Sequence, residues 1–290
     1  MALWDNITYK LRSKSRLYLL ITINVAVFLG INVPAVIEWM ANGGHQGYIG
    51  YFANEYLSLP ADIHKLPTRF WTPITYMFMH AGIWHIFINM LWLYWMGQIF
   101  EEYLGTKRTI GLYLLGGLTG AFLYIACFNL FPAFRDLVHI SVLVGASASV
   151  MAITVATATL LPNYVISLIL IGPVKLKWIA LFLVIVDFLT IMESNPGGEI
   201  AHLGGALLGF VYIKRLQQGN DWVAGISKLF SRGPKVPGMK VVSRNNGKRS
   251  SSKPHQEDVD RVLDKISQSG YDSLNSEEKE ILFRASKNEG

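Results

Sequence analysis

The sequence predicts an all-α membrane protein with six spanning helices and both termini in the cytosol. Only 16% of its 290 residues are charged and 51% are hydrophobic, whereas soluble globular domains carry about 25% charged residues. Charge is sparse between residues 17 and 213 and dense after Lys214. Several apolar runs in the first part are of a length suited to membrane helices. These features argue against a soluble enzyme and against a disordered protein.

Six apolar runs define the predicted spans, at residues 17–38, 81–100, 109–131, 141–161, 178–192 and 200–213. The first follows basic residues but is long for the apolar part of a signal peptide, so it is read as an uncleaved span. The last two are shorter than the ~20 residues that a lipid-crossing helix needs, so flanking residues should complete them or neighbouring helices should shelter them. The run 164–172 is too short to cross, and it is predicted to be an interfacial or buried loop segment.

Loop charge predicts the orientation of the spans. With the N-terminus inside, the inner loops hold ten basic residues and the outer loops hold three, which is the bias of the positive-inside rule. The inner set is Lys10, Arg12, Lys14, Arg16, Lys107, Arg108, Lys175, Lys177, Lys214 and Arg215, and the outer set is Lys65, Arg69 and Arg135.

Four segments follow: a cytosolic N-terminus at 1–16, a six-helix membrane domain at 17–216, a basic flexible linker at 217–256 and a small cytosolic helical hairpin at 257–290. The linker holds eight Lys or Arg against one acid, Asp221, so we expect it to attract anionic lipid. Asn275 or Ser276 could cap the second tail helix. So short a hairpin cannot bury a stable core alone, so we expect it to dock on a partner or on itself, or to be only marginally ordered. Basic residues placed beside spans argue against nucleic-acid binding. The lone Cys127 excludes an intramolecular disulfide.

An ionisable or strongly polar group inside a predicted span is a functional hypothesis by default, and four such residues matter most here. They are His85 and Asn89 in the second span, Ser147 in the fourth and His202 in the sixth. Counted from the outer end of each span at ~1.5 Å per residue, all four lie in the outer half of the bilayer, roughly 3 to 12 Å deep. Unrelated structural residues would more often be scattered in depth.

Ser147 and His202 lie on helices whose small residues suit close packing. Gly205 and Gly209 form a small-residue face that could press against the fourth span. Since His202 lies on nearly the same face as Gly205, this packing would carry the imidazole towards the Ser147 hydroxyl, as a general base requires. The alternatives are a serine used only for packing and a buried histidine bonded to backbone or water. Ser149 is a rival hydroxyl, but it is rotated by about 200° from Ser147.

His85 and Asn89, spaced i and i+4, share one face of the second span. Both can donate hydrogen bonds, and donors near a nucleophile can stabilise the oxyanion of a tetrahedral intermediate. The alternative is a polar seam between helices. A zinc site built from His80, His85 and His202 is a further alternative, although the sequence has no H-E-x-x-H and no carboxylate beside these residues.

The motifs H-x-x-x-N in the second span, G-x-S in the fourth and A-H-x-x-G in the sixth together resemble the rhomboid intramembrane serine proteases. The similarity covers roughly residues 15–215. It implies a six-helix rhomboid bundle and a dyad in which Ser147 is the nucleophile and His202 is the general base and then the acid. It also implies an oxyanion site made by His85, Asn89 and the Ser147 amide, and it implies no metal or cofactor. Gly145, Met151, Gly205 and Gly209 are the supporting positions.

Two positions differ from many family members, since Ala148 stands where glycine is common and Met151 where an aromatic residue is common. The resemblance also implies a helix gate at the fifth span and a capping loop, here residues 193–199. Glu199, placed in this watery loop, could orient His202, and Asp187 is expected to bond between helices.

The preferred function is that of an intramembrane serine endopeptidase in a bacterial inner membrane, which cleaves transmembrane segments of other proteins. The second hypothesis is a catalytically inactive rhomboid-like protein that binds or chaperones membrane helices. A small transporter is the third, but the sequence shows no inverted repeat of broken helices.

Overall fold

The computed structural model describes residues 15–45, 47–168, 171–193, 195–223 and 256–286. The chain divides into two compact units, Met1–Arg232 and Gly233–Gly290. The larger unit is mostly helical, as the sequence predicts. Its helices are α1 (Arg16–Ala41), α2 (Tyr48–Leu57), α3 (Thr72–Thr75), α4 (Ile83–Leu104), α5 (Lys107–Leu130), α6 (Ser147–Leu160), α7 (Leu176–Thr190) and α8 (Pro196–Gln217).

Two small antiparallel ribbons accompany these helices. β1 (Leu59–Pro60) pairs with β2 (Val142–Leu143), and β3 (Val165–Leu168) pairs with β4 (Gly172–Lys175). The second ribbon contains most of the run 164–172 that was predicted to be a loop segment. That prediction is wrong for Val165–Leu168, because β-branched residues followed by a turn satisfy their backbone groups through a ladder.

Each predicted span contains a helix, α1 and α4 to α8 in order. Among the described residues, α1 and α5 are long and apolar enough to cross a membrane unaided, and Thr72–Phe78 with α4 forms a pair bent by 91° that could count as a third. The predicted start of the fourth span is wrong, since residues 141–146 precede α6. The sixth is longer than predicted at both ends. The count of six spans and the cytosolic side of the termini stay predictions.

Helices α5, α6 and α8 meet through glycines that leave no room for side chains. A methyl group added to Gly205 would overlap the carbonyl oxygen of Ala148, and one added to Gly209 would overlap that of Ala152. On α5, a methyl group at Gly120 would lie 2.7 Å from the Ala148 side chain. Backbones that approach this closely stabilise helix association in lipid by van der Waals packing. This packing fixes α6, and with it Ser147, against α8.

Asp62 ties the segment before α3 to the segment before β2. Its Oδ1 accepts a hydrogen bond from the His64 amide at 2.9 Å, and its Oδ2 lies 2.9 Å from His139 Nδ1. The hydrogen bond with His139 lowers the pKa of the Asp62 carboxyl below its ordinary value, and the bond from the His64 amide adds to this effect. The ionised carboxylate therefore stabilises the connection between these two loops.

Asp62→Ala is expected to lower the free energy of unfolding by about 1 kcal/mol at pH 7, the usual loss for a capping carboxylate. Because the folded-state pKa is depressed, this stability is present above the unfolded value of about 3.9 and is lost as pH falls through the folded value. Thermal unfolding of both proteins at several pH values between 7 and 3 checks this. Asp136→Ala, which removes an exposed carboxylate on a nearby loop, should be neutral. A difference that stays constant down to pH 3 would contradict the assignment.

The smaller unit contains α9 (Gln256–Ser269) and α10 (Ser276–Ser286). Asn275 caps α10: its Oδ1 accepts from the amides of Glu277 and Glu278 at 3.0 and 2.9 Å. Lys265 Nζ on α9 lies 2.8 Å from the Glu278 carboxylate on α10. The boundaries of the four predicted segments stay predictions. Most of the N-terminal segment (1–14) and of the basic linker (224–255) lies outside the described residues, and so does the predicted lipid contact of the linker.

Candidate active site

One cavity of about 500 Å³ is lined by all four candidate site residues of the sequence analysis: Ser147, His202, His85 and Asn89. They come from α4, α6 and α8, which are far apart along the chain. The rest of the wall is Trp84, Ile88, Trp92, Val144, Val150, Met151, Leu183, Asp187, Asn195 and Gly198. A concave, mostly apolar cavity with a few converging polar groups is the usual form of a ligand or substrate site.

A turn at a glycine positions Ser147. The backbone of Gly145 has φ +130° and donates a hydrogen bond to the Tyr76 carbonyl at 2.9 Å. A side chain there would lie 2.9 Å from the Cε1 atom of His85, and the same point is 3.3 Å from Ser147 Oγ. Only glycine allows both the dihedral angle and the approach. The turn brings the hydroxyl and the His85 ring together and makes Ser147 the first residue of α6, not a residue deep within a longer span.

The hydrogen bonds of His85 and Asn89 show which of their protons are available. The Ala81 amide lies 3.3 Å from His85 Nδ1 and donates to it, so Nδ1 is the unprotonated nitrogen and the proton of the neutral ring is on Nε2. Nε2 is the atom beside Gly145, 3.0 Å from the point where a side chain would begin. The Asn89 amide donates one proton to the His85 carbonyl at 2.8 Å and keeps a second proton. Both side chains can therefore donate to a ligand in the cavity.

One carboxylate is hydrogen-bonded to His202, and a second lies farther away. Its Nδ1 lies 3.1 Å from Asp187 Oδ1 on α7 and 3.8 Å from Glu199 Oε2 on α8. A carboxylate accepts the Nδ1 proton, which leaves Nε2 as the basic nitrogen of the neutral ring. Asp187 does bond between helices, as expected from the sequence, and its partner is the candidate base. Among the described residues, the His202 ring forms no hydrogen bond with Ser147. Catalytic contacts are often long in a site without substrate.

The predicted watery loop at 193–199 is wrong in its second half. Pro196 begins α8, and the Asn195 side chain accepts a hydrogen bond from the Gly198 amide at 3.2 Å. Proline early in a helix after an Asn cap is a strong start signal. Glu199 therefore lies in the first helical turn, partly buried, and not in a loop.

The rival hydroxyl of Ser149 lies outside the cavity, whereas the supporting residue Met151 lines it. The Ser149 side chain is fully buried, and its hydroxyl has no hydrogen-bond partner in the described ranges. It lies in the packed core and not in the cavity wall. Met151 lines the cavity, one turn after Ser147. Ala148 fits where glycine is common, since its methyl group fills the space above Gly120.

Among the described side chains, one group has the spacing of a metal site: Asp187, Glu199 and His202, with ligand atoms within 4.8 Å of one another. The zinc alternative of His80, His85 and His202 does not form such a group in the same ranges. His80 is buried, and its ring meets the His85 ring edge-on with centroids 5.2 Å apart.

The Rhomboid domain family matches residues 67–218, just over half of the chain. The chain belongs to the rhomboid family. The matched range contains α4 to α8 with every cavity residue named above. The tail of this rhomboid protein matches another family at residues 246–288, described as a family of unknown function, DUF6576.

Individual relatives come from plants, yeast and bacteria. RHOMBOID-like protein 12, mitochondrial, of Arabidopsis thaliana is 32% identical over 161 residues, which are 52% of this chain and 48% of the relative. Rhomboid protein 1, mitochondrial, of Saccharomyces cerevisiae is 26% identical over 214 residues, 70% of this chain and 54% of the relative. Rhomboid protease AarA of Providencia stuartii is 27% identical over 221 residues, 69% of this chain and 75% of the relative. The chain spans about half the length of the two mitochondrial relatives.

The contact between Asp187 and His202 is what sequence reasoning missed in this rhomboid site. The signal was present, because Asp187 is an acid within the apolar helix α7 and such a residue needs a partner. The partner could not be read from the sequence, since it lies on the next helix, 15 residues away.

Proposed function

We propose that this rhomboid protein is an intramembrane serine endopeptidase that cleaves transmembrane segments of other membrane proteins. One observation carries the proposal: Ser147 and His202 line the same cavity, the Nδ1 side of the imidazole is engaged by Asp187, and the Nε2 side has no hydrogen bond to any described residue. A hydroxyl and a free imidazole nitrogen in one cavity are the minimum for acyl transfer to serine.

In the proposed reaction, Ser147 Oγ attacks the carbonyl carbon of the scissile peptide bond while His202 Nε2 takes its proton. The tetrahedral intermediate collapses as Nε2 gives this proton to the leaving amine, and an ester to Ser147 remains. Water then attacks the ester, again with His202 as the base, and the carboxylic acid product leaves. The serine and the neutral imidazole are restored.

The oxyanion of the intermediate would be stabilised by three donors: His85 Nε2–H, the second amide proton of Asn89 and the Ser147 backbone N–H. Ser147 begins α6, and the first amides of a helix have no partner within the helix. The positive end of the helix dipole favours negative charge at the same place. One donor of this kind can be worth roughly 3 kcal/mol.

The wall of the cavity suits an unwound membrane segment. On α4, the side chains of Trp84 and Ile88 also face outward from the bundle, at 75% and 56% exposure. Across the cavity stands Leu183 on α7. A segment that enters between α4 and α7 would keep its apolar side chains on these residues while its backbone reaches Ser147. The rhomboid resemblance implies a small side chain at the cleaved position.

A catalytically inactive rhomboid-like protein that binds membrane helices is the second candidate. The observation in its favour is that His202 bonds to Asp187, whereas no Ser147–His202 hydrogen bond is found in the described part of the chain. The departures at Ala148 and Met151 point the same way. A bacterial inner membrane and a docking partner for the tail hairpin remain part of the proposal, supported by the bacterial relative and by the small size of the hairpin.

A fluorophosphonate probe separates the two candidates, because it forms a phosphonate ester, with loss of fluoride, only at a serine that a base activates. The wild type in detergent or vesicles should be labelled, Ser147→Ala should lose all labelling, and Ser149→Ala should keep it, because Ser149 lies outside the cavity. A wild type that is folded and stays unlabelled would favour the inactive protein. Labelling that survives Ser147→Ala would overturn the choice of nucleophile.

A further inference from the structure

We propose that Asp187 is a positioning residue of the reaction: it holds the His202 ring through Nδ1, so that Nε2 is presented to Ser147, and it stabilises the imidazolium formed during each proton transfer. This inference rests on the proposed function. It adds a third member to the pair that the sequence motifs specify, from a helix that carries none of those motifs.

The geometry is that of a carboxylate that orients a histidine. Asp187 Oδ1 lies 3.1 Å from His202 Nδ1, and both residues line the cavity that contains Ser147. The Asp187 residue is only 9% exposed. Its second oxygen, Oδ2, is buried and has no hydrogen-bond partner among the described residues.

The surroundings of Asp187 argue against an acid without a structural or chemical role. Its helical neighbours on α7 are apolar, from Leu181 to Leu189 apart from Asp187 itself, and several of them point outward from the bundle. A carboxylate within such a helix is costly unless a cation or a donor meets it. The imidazole of His202 supplies the donor in the resting state and the cation during the reaction.

Glu199 is the rival carboxylate, and the distances decide against it. Its Oε2 is 3.8 Å from Nδ1, beyond hydrogen-bond range. It also lies three residues before His202 on the same helix, so a contact between the two would not connect α8 to α7. Asp187 instead connects the base on α8 to α7, one wall of the opening through which a substrate would enter.

The proton balance is simple. When the Ser147 proton moves to Nε2, His202 carries protons on both nitrogens and a charge of +1, while Asp187 keeps its charge of −1. The pair is then neutral overall, which lowers the cost of forming an ion in a low-dielectric site. Asp187 accepts a hydrogen bond throughout and never takes the proton itself, as for the acid of a serine-protease triad.

The test compares Asp187→Asn, Asp187→Glu and Glu199→Gln in the full-length protein, reconstituted with a single-span test substrate. Asp187→Asn cannot fix the Nδ1–H tautomer by charge, and its kcat should fall by about 10²- to 10⁴-fold, with KM changed less than about threefold. Asp187→Glu should recover at least about tenfold of the loss. Glu199→Gln should stay within about threefold of the wild type.

Three results would overturn the inference: an Asp187→Asn protein with wild-type kcat, a loss confined to KM, or a Glu199→Gln protein that loses more activity than Asp187→Asn. A chelator that abolishes wild-type cleavage, with recovery on added zinc, would instead make Asp187, Glu199 and His202 a metal site. If the wild type cleaves and Ser147→Ala does not, a failure at Asp187 leaves the proposed function intact. If the wild type is inactive, both proposals fall.

A second readout needs no turnover and no Asp187 variant. The ¹⁵N spectrum of the histidine rings in the wild type, with the His202 signals assigned by comparison with His202→Gln, reports which nitrogen carries the proton. A neutral His202 with its proton on Nδ1 supports the inference. A proton on Nε2 overturns it, even if Asp187→Asn does not fold.

Discussion

Ser147→Ala and His202→Ala are each expected to lower kcat for cleavage of a single-span test protein by at least about 10⁴-fold, and the double variant should lose no more than either alone. The two groups act as a unit: without the hydroxyl there is nothing for the imidazole to deprotonate, and without the imidazole the hydroxyl is not a nucleophile. Losses of this kind are strongly non-additive. The residual cleavage activity of the variants should come from the oxyanion donors and from substrate binding. The measurement is the amount of product fragment formed after long incubation of the test protein with the wild type, each single variant and the double variant.

Ser149→Ala is the matched control for this experiment, because it removes the same atom two residues along α6. The Ser149 hydroxyl is buried without a partner in the described ranges, so its loss should leave cleavage within about threefold of the wild type and stability nearly unchanged. An inactive Ser149→Ala protein beside an active Ser147→Ala protein would reverse the assignment. Additive losses for Ser147→Ala and His202→Ala would mean that the two residues act separately.

The candidate site could be predicted because its polar residues interrupt apolar runs. His85, Asn89, Ser147 and His202 each stand where lipid would exclude them unless a partner or a function requires them. Their common depth follows from counting residues along helices, which needs no tertiary structure. The structure places all four on one cavity, while their roles stay predictions.

Most features that the sequence analysis missed depend on contacts between residues far apart in the chain. Residues 141–146 are as apolar as a helix interior, so composition could not reveal that β2 and the Gly145 turn precede α6. Their conformation is fixed by distant partners, among them the Tyr76 carbonyl. The strands β3 and β4 were missed because a short apolar run does not distinguish a ribbon from a loop. The Asp187–His202 contact likewise depends on how α7 packs on α8.

The close approach of α6 and α8 gives the second large effect. Gly205→Val is expected to lower the free energy of unfolding by more than about 3 kcal/mol, because its Cβ would overlap the Ala148 carbonyl oxygen and backbone cannot move aside as a flexible side chain can. The helices must separate, which also removes the neighbouring contact of Gly209 with Ala152. Gly205→Ala should show the same effect in smaller form, since it adds the Cβ without the branches.

Activity should fail in these variants before the fold does. Ala148 follows Ser147 directly, so a shift of α6 away from α8 moves the nucleophile away from His202, and misplacement by about 1 Å can cost 10²-fold in rate. Gly30→Val is the matched control, because a Cβ at Gly30 meets nothing within 4 Å, and both its stability and its labelling should match the wild type. Thermal unfolding in detergent and fluorophosphonate labelling of the folded fraction measure the two effects. If Gly205→Val is labelled and unfolds as Gly30→Val does, α6 and α8 do not pack together through Gly205. A different helix contact must then hold His202 near Ser147.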